Sequence, residues 1–270
     1  MGRSRRAAKG TRVTPSILCD LVLKIRRSGR AAGPWEGALV SKTRMIELVK
    51  AFDAPAVDAG LTESPQLLAW RGDKGRNWLH LLCGVELTTG ADPATSIRTA
   101  QVLVGHGLDV SSVAFTEGEW KATPVWFAVS RGRNLALTEW LLKAGADPNY
   151  SLWAAGFHDD IEAIRLLLRH GAVVDDRSVD ETPFLGAVQW SHFAAAEELL
   201  RHGADVNYRD AKGMTALHYM LKKGSDKAHF PALIAAGARG DIPDPAGRTA
   251  RAIMARKKDP DFRRMAGQLA

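Results

Sequence analysis

Aliphatic pairs recur along most of the chain at a fixed distance before a glycine. The glycines are separated by 38, 26, 32 and 34 residues, and each pair falls four and three positions before its glycine. The pairs are Leu103-Val104 before Gly107, Leu141-Leu142 before Gly145, Leu167-Leu168 before Gly171, Leu199-Leu200 before Gly203, and Leu233-Ile234 before Gly237. A period near this length is typical of stacked helix pairs, in which each unit buries its apolar face against its neighbours. The pattern predicts an all-α repeat fold.

A second pattern marks the start of the first helix in each pair. Thr182-Pro183, Thr215-Ala216 and a later Thr249 follow one another at 33 and 34 residues. A threonine hydroxyl accepts a hydrogen bond from a free N–H of the first helical turn, and proline at the next position loses nothing by lacking an N–H. The glycine after the second helix supplies the left-handed conformation that ends it. Asp210 to Gly213 predicts a turn that projects between two repeats.

These motifs resemble ankyrin repeats. The resemblance rests on Thr-Pro-Phe-Leu at 182–185, on Thr-Ala-Leu-His at 215–218, and on Leu199-Leu200 followed by Gly-Ala-Asp-Val-Asn at 203–207. It implies a solenoid of about five helix-turn-helix repeats with projecting β-turn fingers and divergent N- and C-terminal capping helices.

The chain divides into four parts on these patterns. We expect a disordered basic tail at 1–13, an N-terminal helical cap at 14–76, ankyrin-like repeats at 77–242 and a C-terminal capping repeat at 243–270. The cap should begin with a helix from Thr14 to about Ser28. Extra residues near 85–94 predict a loop between the two helices of the first repeat. The third repeat has no room for a projecting turn before Tyr150.

The net charge of +7 is confined to the start of the chain. Residues 1–30 hold nine basic residues and one acidic residue, a sum of +8, which leaves −1 for the rest. Nucleic-acid or anionic-surface binding is therefore an alternative function for the first 30 residues only. The sequence has no apolar run of the ~18 residues that cross a bilayer, so we expect no transmembrane segment.

Neither a catalytic nor a metal motif is present. His106, His170 and His202 occupy one repeated position, and His80 and His218 share another, so a structural role explains all five. No two histidines stand at metal-ligand spacing with a carboxylate, and no phosphate loop or nucleophile motif occurs. We expect no metal, no cofactor and no enzymatic activity.

The resemblance implies that a protein partner binds the concave face, which the projecting turns and the exposed side of each first helix form. Counting from the opening residue of each repeat, the positions expected on this face are Trp120, Phe127, Arg131, Phe157, His158, Gln189, Trp190, Lys212, Tyr219 and Lys222. Aromatic residues and arginine carry much of the energy of protein interfaces. The alternative is that Phe127 and Phe157 pack between repeats, since a one-residue offset rotates a side chain by about 100° around a helix. We assign Trp126 and Trp153 to packing.

The partner's identity does not follow from the sequence. The expected function is that of a non-catalytic interaction module, monomeric and cytoplasmic. A secreted bacterial effector that binds a host protein is the alternative.

Overall fold

The structure is a computed structural model that describes residues 40–87, 91–177 and 181–270. Within these residues it contains helices joined by short loops and one small hairpin. The helices are α1 (Lys42–Lys50), α2 (Ala54–Glu63), α3 (Trp78–Cys83), α4 (Pro93–Gly105), α5 (Pro124–Ser130), α6 (Leu135–Lys143), α7 (Leu152–Phe157), α8 (Ile161–Arg169), α9 (Pro183–Trp190), α10 (Phe193–Arg201), α11 (Ala216–Lys223), α12 (Phe230–Ala235), α13 (Ala250–Ala255) and α14 (Pro260–Gln268). The strands are β1 (Thr116–Glu117) and β2 (Trp120–Lys121), and 3-10 turns lie at Pro65–Ala69, Asp73–Gly75 and Lys227–His229.

The helices form two layers. Helices α3, α5, α7, α9, α11 and α13 pack against one another in sequence order and are here called the first-helix row. Their partners α4, α6, α8, α10, α12 and α14 form the second-helix row in the same way. Helix α1 packs on α3 and α2 packs on α4, so this pair extends both rows toward the N-terminus. The all-α repeat architecture predicted from the sequence is confirmed.

The helix starts follow the predicted capping chemistry. The Thr182 hydroxyl accepts a hydrogen bond from the Leu185 N–H at 3.2 Å, and the Thr123 hydroxyl accepts one from Trp126 at 3.3 Å. Ser41 caps α1 in the same manner. At the other end, the glycines after the second helices all have φ between 84° and 102°. Their conformation confirms that they terminate the helices, because a residue with a Cβ is strained there.

The hydrophobic core lies between the two rows of helices and includes the aliphatic pairs. Leu103, Leu141, Leu167 and Leu199 are 0% exposed, and Leu233 is 1% exposed. The second residue of four of the five pairs is only partly buried. Four of the pairs therefore place one leucine at the centre of the stack and a second side chain at its margin, whereas both leucines of the pair at 141–142 are buried.

The loops between repeats differ as the spacings predict. Before α5, β1 and β2 pair antiparallel, with Glu117 opposite Trp120, to form a projecting hairpin. Before α11, the Gly213 N–H donates to the Asp210 carbonyl at 2.8 Å and closes a tight turn. Between α6 and α7 the chain passes directly through Tyr150, which has a φ of 67°. The missing turn in the third repeat is confirmed.

The expected N-terminal cap lies partly within the described residues, where a 3-10 helix at Pro65–Ala69 follows α2. The tail at 1–13 and the helix from Thr14 to Ser28 lie outside the described residues. In the described part of the chain, every helix is too short or too polar to cross a membrane.

Candidate partner-binding surface

Three aromatic side chains form a patch on the first-helix row. Trp190, the last residue of α9, is 55% exposed. Its ring lies edge-on to Phe157 of α7 with centroids 5.0 Å apart. Phe157 in turn stacks nearly parallel on Trp153, at 5.4 Å and 14°. Trp153, Phe157 and Trp190 are called the aromatic patch below. Of the large apolar side chains exposed in the described residues, Trp190 is the only aromatic one.

A half-buried carboxylate lies beside the patch. Glu181 directly precedes Thr182, the N-cap of α9. Its Oε1 accepts a hydrogen bond from the Trp153 indole N–H at 2.9 Å, and its Oε2 accepts one from the Gln189 amide at 2.9 Å. Desolvation raises the pKa of Glu181, the Trp153 hydrogen bond opposes that shift, and the charge of Asp210 adds to it. The side chain is thus fixed in position by two neutral donors.

A second carboxylate comes from the next projecting turn. Asp210 accepts backbone N–H groups from Lys212 at 3.0 Å and Met214 at 2.8 Å, which fixes the turn. Its other oxygen accepts the Tyr219 hydroxyl of α11. Desolvation, this hydrogen bond, the charge of Asp210 and the charge of Glu181 together raise the pKa of Tyr219. Tyr219 is therefore a protonated donor to Asp210 at neutral pH.

Lysines border this region. Lys212, Lys222 and Lys223 are exposed. The Lys223 ammonium donates to the Gln189 carbonyl and, at 3.3 Å, to the Ser191 hydroxyl, so it closes the C-terminal end of α9. A cation at this end of a helix interacts favourably with the helix dipole.

A comparison with protein-family models identifies the repeats. The model described as ankyrin repeats matches this chain in three copies, over residues 125–210 and 151–244. Residues 125–244 of the chain are ankyrin repeats.

Curated relatives share part of the ankyrin repeats. Arf-GAP with coiled-coil, ANK repeat and PH domain-containing protein 2 is 35% identical to this chain in Gallus gallus and 33% identical in Rattus norvegicus. Each match covers 81 residues, which is 29% of this chain and 10% of the relative. The chain therefore spans about a tenth of the length of the curated relatives it matches.

Solved structures support the fold over most of the chain. The ankyrin repeat domain of Bcl-3, described as a unique member of the IkappaB protein family, superposes with a TM-score of 0.65 at 20% identity. The match covers 82% of this chain and 96% of that domain. The human ASB11 ankyrin repeat domain gives a TM-score of 0.63 at 19% identity, covering 84% of this chain and 97% of that chain.

Two aromatic residues expected on the ankyrin surface are buried instead. Trp120 is 7% exposed, because the hairpin folds its ring against Trp126 and its indole N–H donates to the Tyr150 carbonyl at 3.1 Å. Phe127 is 2% exposed and lies edge-on to His80 of the preceding repeat, with centroids 5.5 Å apart. The expectation that these two side chains face solvent is wrong.

Burial follows position within the ankyrin repeat. Four residues after the opening residue, Phe127, Ala154 and Gly186 are buried, because this part of the helix faces the neighbouring first helix. Seven and eight residues after it, the side chains are exposed or half-buried. They are Arg131, Phe157, His158, Gln189, Trp190 and Lys222. Tyr219 is half-buried, and Val179, also expected in a turn, lies outside the described residues.

The hydrogen-bonded carboxylates of this surface were not predicted from the sequence. Glu181 and Asp210 were not among the expected residues, and Trp153 was assigned to packing alone. The sequence does contain a hint of Glu181, because this carboxylate stands directly before the Thr-Pro start of a helix. Its pairing with Trp153 and Gln189 depends on side-chain directions in two repeats, which the spacing does not give.

The position shared by His80 and His218 is structural, as predicted. His80 Nδ1 accepts the Asn77 N–H at 3.2 Å, and its Nε2 lies 3.0 Å from the Ser112 carbonyl. Burial lowers the pKa of His80 to about 4. His218 repeats this arrangement with Thr215 and Arg248. Among the described residues, no group of three or more His, Cys, Asp or Glu side chains is placed to hold a metal ion.

Proposed function

We propose that this chain is a non-catalytic module that binds a protein partner on the concave face of its ankyrin repeats. The surface concerned is the exposed side of the first-helix row at α7, α9 and α11, with the turn at Asp210 to Gly213. Ankyrin repeats are generally protein–protein interaction modules. The observation that carries the proposal is the exposure of Trp190 at the edge of the aromatic patch.

The fold of the repeat does not require an exposed tryptophan at position 190. Thr182 caps α9 and Pro183 to Val188 fill its buried face, whereas Trp190 is 55% exposed at the end of the helix, with its ring edge-on to Phe157. A tryptophan buries a large apolar area on binding while losing little rotamer freedom, so it is a frequent energetic centre of interfaces. Phe157, which itself stacks on Trp153, lies edge-on to the Trp190 ring and limits the entropy that this ring loses on binding.

The chemistry of the surface also supports binding rather than catalysis. Glu181 and Asp210 are held by neutral hydrogen-bond donors, and Tyr219 keeps its proton. None of the three is placed as a nucleophile with an adjacent base. The monomeric state and the cytoplasmic location expected from the sequence stay predictions.

The test is capture of a partner by tagged full-length chain from a lysate of the source cells. Trp190→Ala should abolish or strongly reduce the capture of a specific partner, by roughly thirtyfold in affinity if the residue contributes about 2 kcal/mol. Val173→Ala is the matched control, because Val173 is equally exposed at 56% but lies in the loop after α8. Equal loss in both variants, or no loss in either, would contradict the proposal.

A further inference from the structure

We infer that the partner inserts a basic side chain, arginine or lysine, between the aromatic patch and the carboxylates of Glu181 and Asp210. The inference rests on the proposed function and names the chemistry of its partner. A basic segment of a protein is the occupant to which it commits.

The first observation is uncompensated negative charge. Among the described residues, the donors to Glu181 are the indole of Trp153 and the amide of Gln189, and the side chain that donates to Asp210 is the phenol of Tyr219. All three donors are neutral. In the described part of the chain neither carboxylate has an ion-pair partner within 4.0 Å. The charge of Asp210 adds to the rise in the pKa of Glu181, so the two carboxylates repel each other.

The second observation is free acceptor capacity. An ionised carboxylate has about four lone-pair sites, and Glu181 uses two of them within the chain. Its orientation is nevertheless fixed, because each oxygen is bonded to a different element, α7 or α9. An incoming cation therefore meets preoriented acceptors and loses less free energy to ordering than it would at a mobile side chain.

The third observation is the aromatic patch next to Glu181. The indole of Trp153 donates to Glu181, and its ring also stacks on Phe157. Phe157 in turn lies edge-on to Trp190. Ammonium and guanidinium groups are attracted to the faces of such rings, tryptophan above all. Guanidinium also binds carboxylates through two parallel N–H groups. Aromatic faces and acidic acceptors together match a basic side chain better than a neutral or acidic one.

Within the described residues, the nearby lysines do not fill this role. Lys212 is exposed and lies near enough to lower the pKa of Glu181 slightly, but it forms no ion pair with Glu181 or Asp210. Lys223 is engaged at the end of α9. The whole chain carries a net charge of +7, so general attraction would favour acidic peptides. A preference for a basic peptide would therefore have to come from Glu181, Asp210 and the aromatic patch.

The experiment titrates full-length chain, labelled with ¹⁵N at tryptophan, with two blocked decapeptides in which alanine alternates with arginine or with glutamate. The indole N–H signals of Trp153 and Trp190, assigned with Trp153→Phe and Trp190→Phe, report the site directly. The arginine peptide should shift both signals saturably, and the glutamate peptide should not. Equal shifts with both peptides, or shifts confined to other tryptophans, would overturn the inference.

A charge-removing variant gives the second arm. Glu181→Gln should weaken the arginine peptide roughly tenfold, which corresponds to about 1.4 kcal/mol. The matched control is Glu197→Gln, a half-buried carboxylate on α10 that pairs with Arg201, and it should change nothing. If partner capture depends on Trp190 while Glu181→Gln binds both partner and peptide as wild type does, the proposed function stands and this inference fails. If neither Trp190 nor Glu181 affects capture, both fail.

Discussion

At the scale of single residues, Trp120 and Trp190 show how differently one chain can use the same side chain. Trp120 is closed in by Phe115 and Trp126 and bonded to Tyr150, whereas Trp190 leaves more than half of its surface in water. Removing the first creates a cavity between repeats. Removing the second takes away a ring that contacts one neighbour.

The two tryptophans therefore predict opposite stability effects. Trp120→Ala should cost about 3 to 5 kcal/mol of unfolding free energy, the usual range for a buried aromatic residue. Trp190→Ala should cost less than about 1 kcal/mol. Urea unfolding followed by far-UV circular dichroism measures both, and a Trp190→Ala chain as unstable as Trp120→Ala would place Trp190 in the core.

His80 predicts a pH dependence at the same scale. Its pKa is about 4 in the folded chain and 6.5 when unperturbed, so below pH 6.5 the unfolded state binds the proton first. Stability from this group is complete above pH 6.5 and falls by about 3 kcal/mol as the pH drops to 4. NMR titration of the imidazole should give the low pKa, and His80→Gln should flatten the stability profile. A measured pKa near 6.5 would contradict the buried capping role.

Sequence reasoning succeeded for residues whose role is set by the backbone and failed for those set by side-chain direction. Thr182 caps the start of α9, and Gly203 supplies the left-handed residue after α10. The helix boundary alone favours these residue types at these positions. Trp120 instead depends on how the β1–β2 hairpin bends over α5, and Glu181 depends on where α7 directs Trp153. Repeat spacing determines neither of these directions.

At the scale of elements, each second helix from α4 to α12 places an almost fully buried leucine in the stack. Leu167→Ala should cost about 2 to 5 kcal/mol, because it removes fully buried methyl groups between α8 and its neighbours. Leu168→Ala is the matched control, since its half-buried side chain should cost clearly less. Equal costs in urea titration would show that the core has been assigned to the wrong leucine.

Contact between repeats also depends on a glycine at the end of α5. A Cβ on Gly132 would lie 2.2 Å from the Cys83 carbonyl oxygen at the end of α3, too close for any side chain. Gly132→Ala should therefore cost about 1 to 3 kcal/mol, as overpacking does. Gly105→Ala in α4 is the control, because a Cβ there meets nothing within 4 Å and alanine favours helix. Thermal melts should fall for the first variant and hold or rise for the second.

At the scale of the whole molecule, the core leucines and the proposed binding surface occupy different parts of the same stack. Each repeat touches only its neighbours, so loss of Leu167 should unfold part of the chain before the rest. The first-helix surface carries the aromatic patch and the two carboxylates without contributing to those leucine contacts. A partner can therefore select this surface without altering the fold.

The most direct measurement is a footprint of the chain in complex with its purified partner. Hydroxyl-radical labelling read by mass spectrometry should oxidise Trp190 readily in the free chain and much less in the complex, with protection extending to Trp153 and Tyr219. The loop containing Val173 should stay equally reactive in both states. Protection confined to the second-helix row, or an unchanged rate at Trp190, would contradict binding on the first-helix surface.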